Sequence, residues 1–370
     1  MVVYKITMMN KSSKRHNLRQ SKQFVFLLKL TFSVCAIMFA IHIYVMPVTP
    51  PATFYNDIVK QIRSCYMINE SRSTNITQNT TTVGPTATKL PSLRYHVAHP
   101  LNYHFIMDEP VKCSQWDPFV VLMVPAAPNQ IEARNAIRST WGNETTVQGK
   151  AVLTLFLVGL TVGGDSEKAQ QQLEEESRQH RDLIQSNFVD SYFNLTIKTM
   201  VMMDWLATRC PQATYAIKID TDMFLNVENL MTFLLAPNTP RENYLTGVLL
   251  WNRPVVRNKN SKWYVSEDMY PDLTYPTYPL GTGYVFSNDL PEKIVEISKE
   301  VQAFNIEDAY IGACLKRLGF EPSSPPDPSL FRIYMTYNRE EFLKIISTDV
   351  GSPQQILNIW KDVKSPPKKI

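Results

Sequence analysis

The 370-residue chain has no histidine after His180, no Cys-x-x-Cys pair and only 12 glycines. Each absence removes a class of chemistry. With all six histidines at or before His180, a Ser-His-Asp hydrolase built around the middle of the chain is disfavoured, and no Gly-x-Ser-x-Gly nucleophile elbow occurs. Without Cys-x-x-Cys, zinc and thiol-redox readings are disfavoured as well. The glycines form no phosphate cradle. Gly149-Lys150 is followed by Ala151, and the third glycine position of a dinucleotide fingerprint starting at Gly281 holds Phe286. Acid is missing from residues 1–23, which carry Lys5, Lys11, Lys14, Arg15, Arg19 and Lys22 and no Asp or Glu. Without those six, 32 bases face 34 acids, so the net charge of +4 belongs to a short tail and no nucleic-acid groove is expected.

Behind the basic tail lie residues 24–46, a mostly apolar stretch spanning about 34 Å as a helix. A cleaved signal peptide normally has an apolar region of about 7 to 15 residues, so an uncleaved transmembrane signal-anchor is expected instead. The positive-inside rule then places residues 1–23 in the cytoplasm and everything after Pro47 in the lumen of the secretory pathway. Asn69, Asn75, Asn79, Asn143 and Asn194 begin glycosylation sequons on that luminal side. Residues 47–111, rich in Pro, Thr, Ser and Asn, read as a stem, and residues 112–370 as the folded luminal domain. Tyr95, His96, His99, Tyr103 and His104 match no common metal spacing and read as a packed domain entrance.

Strands then alternate with helices. Apolar runs at 119–124 and 151–158 read as strands, with helices at 130–141 and 165–180, a short strand at 188–192 and a helix at 195–208. Glu174-Glu-Glu176 reads as a solvated face. This pattern predicts a doubly wound, largely parallel sheet. Beyond it, strands are expected at 244–250, 263–265 and 281–287, and helices at 290–301, 306–318 and 354–363.

The stretch Tyr215-Ala-Ile-Lys-Ile-Asp-Thr-Asp222 alternates like a half-buried strand and ends in two carboxylates. Asp220 and Asp222 at a strand's carboxyl end suit a hard cation carrying a diphosphate, although Asp at such a place also serves as turn former or helix cap. Farther on, Asn305-Ile-Glu-Asp308 opens a helix. The spacing fits a capping box, and an acid there can also take a proton from a hydroxyl. Gly281 and Gly283 fit either a turn or a loop whose backbone approaches a sugar.

Arg134-Asn-Ala-Ile-Arg-Ser-Thr-Trp-Gly142, Phe156-Leu-Val-Gly159, Lys218-Ile-Asp-Thr-Asp-Met-Phe224, Gly281-Thr-Gly-Tyr-Val-Phe-Ser287 and Glu307-Asp-Ala-Tyr-Ile-Gly312 together resemble the ordered motifs of the β-1,3-galactosyltransferases of glycosyltransferase family 31. The resemblance covers about residues 116–363. It implies a GT-A fold, a Golgi membrane location in type II orientation, a UDP-galactose donor, Mn2+ and an inverting transfer to a glycan acceptor on glycoprotein or glycolipid. The Gly-Thr-Gly form is more similar to the galactose-transferring members. A β-1,3-N-acetylglucosaminyltransferase and a non-catalytic luminal glycan-binding protein are the alternatives.

Carried over residue by residue, the resemblance implies Asp308 as base and Asp220 with Asp222 at the metal and diphosphate. Arg134, Arg138 and Trp141 match the early motif, where nucleotide contact and bracing of the fold both stay open, and Gly281 and Gly283 match the glycine motif near the sugar. Members usually carry a histidine in their late motif, and Asp349 stands there, as a metal ligand or as a turn residue. The cysteines depart from the family pattern; Cys210 with Cys314 and Cys65 with Cys113 is the pairing expected.

Overall fold

In a computed structural model, residues 103–366 are described. The tail, the anchor, the stem up to residue 102, Cys65 and the sequons at Asn69, Asn75 and Asn79 lie outside them. Among the described residues no helix is long and apolar enough to cross a membrane.

The elements in chain order are β1 (Phe105–Met107), α1 (Lys112–Trp116), β2 (Val120–Pro125), α2 (Ile131–Arg138), β3 (Thr146–Val147), β4 (Lys150–Leu160), α3 (Ser166–His180), β5 (Leu183–Val189), α4 (Leu195–Arg209), β6 (Tyr215–Ile219), β7 (Met223–Leu225) and α5 (Val227–Leu235). The second half adds β8 (Leu245–Leu250), β9 (Tyr278–Ser287), α6 (Leu290–Ile297), α7 (Glu307–Leu318), β10 (Phe331–Tyr334), α8 (Arg339–Phe342), β11 (Ser347–Asp349) and α9 (Pro353–Lys364). The main sheet has the order β1-β5-β4-β2-β6-β9-β8, with β3 beside β4. Its four central strands β5, β4, β2 and β6 are parallel, and antiparallel strands close both edges. A second sheet, β10-β11-β7, carries the chain just after the Asp-x-Asp motif.

The apolar run of β2 follows from its position. Val121 and Met123 join one core with α4, α6 and α7, whereas Val120, Leu122 and Val124 join another with α2, α5 and α9. A strand covered on both faces needs apolar side chains at every position, which is why a parallel strand reads as a continuous run. Strand β6 obeys the same rule: all five of its residues are buried, Lys218 included. The half-buried reading of that strand is therefore corrected.

Other expectations change for equally local reasons. β1 pairs antiparallel with β5 and Tyr103 is buried, so folded structure begins inside the span read as stem. Glu176 turns inward from the acidic run of α3 and is buried, while Glu174 and Glu175 stay exposed. Residues 263–265 form no strand. Of the two described sequons, Asn143 is exposed; Asn194 instead donates its amide to the Val189 carbonyl at 2.8 Å, and Thr196 is buried.

The disulfide also differs from the expected pairing. Cys210, where α4 ends, is bonded to Cys113 on α1 with Cα atoms 5.3 Å apart. Cys314 points into the core from α7 as a free thiol, and burial pushes its pKa up to about 12. The bridge closes a separation of 97 residues, and long loops lose most denatured-state entropy when cross-linked. Replacing both Cys113 and Cys210 with Ser should cost about 2 to 4 kcal/mol in a denaturant titration. An unchanged midpoint would show that the bridge contributes nothing to stability.

Candidate active site

The parallel strands run outward in both directions from β2, with β4 and β5 on one side and β6 on the other. Where strand order reverses, successive connections leave toward opposite faces and a crevice opens at the carboxyl ends. A cleft of about 360 Å³ lies there, lined among others by Gln130, Glu132, Thr221, Asp222 and Gly351. It joins the loop after β2 to the Asp-x-Asp loop after β6.

Asp222 borders this cleft with its Oδ1 buried and lacking any hydrogen-bond partner. Burial first, and then the charges of Asp220 and Asp349, push its pKa up. Asp349 reaches the neighbourhood because β11 pairs antiparallel with β7, setting Asp349 opposite Met223. The backbone N–H groups of Val350 and Gly351 donate to the Asp222 carbonyl at 3.0 and 3.3 Å, and Gly351 N–H also donates to Asp349 Oδ1 at 2.7 Å. One turn therefore fixes both acids.

Behind the motif lies a buried charge cluster. Lys218 Nζ donates to Asp220 Oδ1 at 2.7 Å and to the Gly281 carbonyl, and stands 3.5 Å from Glu307 Oε1. Burial alone would lower the Lys218 pKa, but the Asp220 and Glu307 carboxylates reverse that and hold it above its ordinary value. Glu307 also accepts from the Thr199 hydroxyl at 3.2 Å. Its burial, opposed by Lys218 and reinforced by Asp308 and Asp220, raises its pKa to about 7.

Asp308 is the next residue of α7. Its Oδ2 accepts from Gly281 N–H at 3.0 Å and its Oδ1 from Ala309 N–H at 2.8 Å. Burial raises its pKa against the lowering by these N–H groups and by Lys218. The expected capping box does not form. The N-cap is Ile306, without a side-chain cap, and Asn305 instead donates its amide to the Tyr264 carbonyl.

The glycine motif lies in the strand expected there, β9, with Gly283 opposite Ile219. A Cβ at Gly281 would lie 3.2 Å from Asp308 Oδ2, so glycine there permits the close approach of strand and acid. Gly283 is less crowded, at 3.7 Å from the nearest neighbour of such a Cβ.

The early-motif residues brace the fold. Arg134 is wholly buried and donates to both oxygens of Glu176 at 2.7 Å and to the carbonyls of Ala127 and Pro128. Arg138 bridges Glu176 and Asp182, each at 2.8 Å, and lies over the Phe156 ring. Trp141 is buried and donates its indole N–H to the Met223 carbonyl at 3.1 Å, which ties α2's end to β7. Of the two roles left open for these three, the contacts are those of bracing. Arg134 spends donors on the loop after β2 and Trp141 on the strand after Asp222, the two walls of the cleft, whereas Arg138 holds Glu176 and Asp182.

Among the described residues no three His, Cys, Asp or Glu side chains form a ready cation cluster. A cation that keeps substrate phosphates among its ligands needs only one or two protein carboxylates. The orphaned Asp222 Oδ1, crowded by two further acids, fits such an ion and has no better partner among the described residues.

Lys218 and Thr199 had no expected role, and Glu307 stood only as part of the helix opening at Asn305-Ile-Glu-Asp308. The available signal was a lysine inside an otherwise apolar strand.

A family model described as galactosyltransferase matches residues 132–326, which include Asp220, Asp222, Gly281 and Asp308. Beta-1,3-galactosyltransferase 2 of Mus musculus is 43% identical over 270 residues, covering 72% of this chain and 64% of that protein. Beta-1,3-galactosyltransferase 1 of Mus musculus is 38% identical over 275 residues, covering 74% of this chain and 82% of that one. A solved WbbM bifunctional glycosyltransferase aligns over 68% of this chain and 50% of its own at 12% identity, with a TM-score of 0.38 that decides nothing about fold. On the family match and the identity to both relatives, the chain belongs to the galactosyltransferase family.

Proposed function

We propose that this protein is an inverting β-1,3-galactosyltransferase of GT-A fold that moves galactose from UDP-galactose to the 3-hydroxyl of a glycan acceptor. One observation carries the reading. Asp308 and the Asp-x-Asp loop stand at the same end of the β6-β9 pair, joined through Gly281 and Lys218. A carboxyl with a raised pKa near two further carboxylates supports a base working beside a metal diphosphate.

In this reading Asp308 takes the proton of the acceptor hydroxyl as its oxygen attacks the anomeric carbon. The bond to the UDP oxygen breaks with its electron pair leaving on UDP, and the configuration inverts. Asp222, with Asp220 and Asp349 near it, would hold Mn2+, whose charge offsets that developing on the leaving diphosphate. Lys218 holds one Asp220 oxygen and leaves the acid's other side to the site. The chain would be anchored in the Golgi membrane by residues 24–46 with this domain luminal.

The test is transfer by full-length protein from UDP-galactose, with UDP-N-acetylglucosamine in parallel, to GlcNAc- and Gal-terminated acceptors, with the product linkage read by NMR. A β-1,3-galactoside is expected. The absence of both transfer and slow donor hydrolysis would overturn the reading. Asp349→Ala should weaken manganese-dependent UDP binding by about 10- to 100-fold. Unchanged affinity would assign Asp349 to the turn alone.

A further inference from the structure

Three segments converge just before Asp308. The 3-10 turn Tyr192–Asn194 leads into α4, whose Thr196 hydroxyl donates to the Phe304 carbonyl at 2.7 Å. The loop of residues 257–266 is tied to Asn305 by the bond to the Tyr264 carbonyl at 3.3 Å. Arg257 fastens that loop from within, donating to the carbonyls of Val265, Tyr270 and Asp272. Neither segment belongs to the cleft at Asp222.

What the two segments present is a pair of exposed rings around one cation. Lys262 Nζ lies 5.4 Å from the Tyr192 ring centre and 4.9 Å from that of Trp263. Tyr192 is 42% exposed and Trp263 52% exposed. Phe193 meets Tyr192 edge-on at 5.9 Å and is itself exposed. Among the described residues Lys262 has no carboxylate partner, so its ammonium is oriented by the rings and keeps N–H groups to donate. Burial raises the Tyr192 pKa, a hydrogen bond with the Trp263 side chain opposes that, and the charge of Asp308 adds to it.

We infer that Tyr192, Trp263 and Lys262 form the platform for the acceptor's terminal hexopyranose. A pyranose has an apolar C–H face and a rim of hydroxyls. An exposed aromatic ring covers the first, and an ammonium without an acid partner donates to the second. The anchoring of both segments to residues 304–305 fixes the platform relative to Asp308, so a sugar stacked there is held beside the base. The inference rests on the proposed transferase reading and names the half of the site that faces away from the donor.

The test is saturation-transfer NMR with methyl β-galactoside and methyl β-N-acetylglucosaminide on the full-length protein, its Tyr192→Ala and Trp263→Ala variants and Trp263→Phe. At least one glycoside should bind wild type and bind each Ala variant about tenfold more weakly, with Trp263→Phe close to wild type and UDP-galactose binding the same in all. Glycoside affinity unaltered by both Ala variants, or no binding of either glycoside to wild type, overturns the platform. Donor binding and slow donor hydrolysis, measured without glycoside, report on the transferase reading separately: their absence removes that reading, and their presence with an indifferent platform removes only this one.

Discussion

Asp308→Asn should lower the turnover number by about 10² to 10⁴ while the protein stays folded. An amide cannot take the acceptor's proton, and the group it replaces has a pKa raised by burial, the direction that suits a base. The structural consequence is smaller. Asn keeps an acceptor for Ala309 N–H, but its NH2 faces the Gly281 N–H that Asp308 Oδ2 now satisfies. One hydrogen bond is lost, at a cost of about 1 kcal/mol. Turnover and the thermal midpoint measured on the same preparation separate the two effects. Wild-type turnover would remove Asp308 from the role. Glu307 would not inherit it, because that carboxylate is turned into the core against Thr199 and Lys218.

Much of the main sheet was legible because its strands are long and carry one composition. β2 and β4 are buried on both faces and announce themselves as apolar runs. β1 and β11 have three residues each, too few for any periodicity to show, and Ser-Thr-Asp349 is not an apolar pattern at all. They were found only through their partners, β5 and β7.

The site divides in the same way. Asp220, Asp222 and Asp308 stand at element ends, where a carboxylate is visible against its apolar neighbours. Lys218 was hidden by its own strand, since alternation of side chains cannot say whether the second face meets water or a helix. Here that face meets α7, and the lysine becomes a buried counter-ion. Arg134 and Glu176 lie 42 residues apart, and no local rule pairs them. Their bond joins α2 to α3 through side chains alone, a tertiary fact.

Lys218→Met should destabilise the protein by about 3 to 5 kcal/mol at pH 8.5, the cost of removing one partner from a buried ion pair. The deficit should shrink below pH 7. Glu307 has its pKa raised by burial to about 7 even beside the ammonium, whereas unfolded Glu titrates near 4.3. A buried acid of this kind binds its proton more tightly when folded, so stability falls as pH rises from the unfolded value to the folded one. In wild type that fall ends near pH 7, where Glu307 ionises next to Lys218. Without the ammonium the folded pKa moves higher still, and the fall continues past the point where wild type has levelled off. Asp220, which is 36% exposed, relaxes toward solvent and adds less to the loss. Denaturant titrations at pH 6 and 8.5 read the difference, and Glu307→Gln in the Lys218→Met background should remove most of the pH-dependent part. Equal deficits at both pH values would show that Glu307 does not feel the lysine. A loss under about 1 kcal/mol would show that the cluster relaxes into water instead of staying buried.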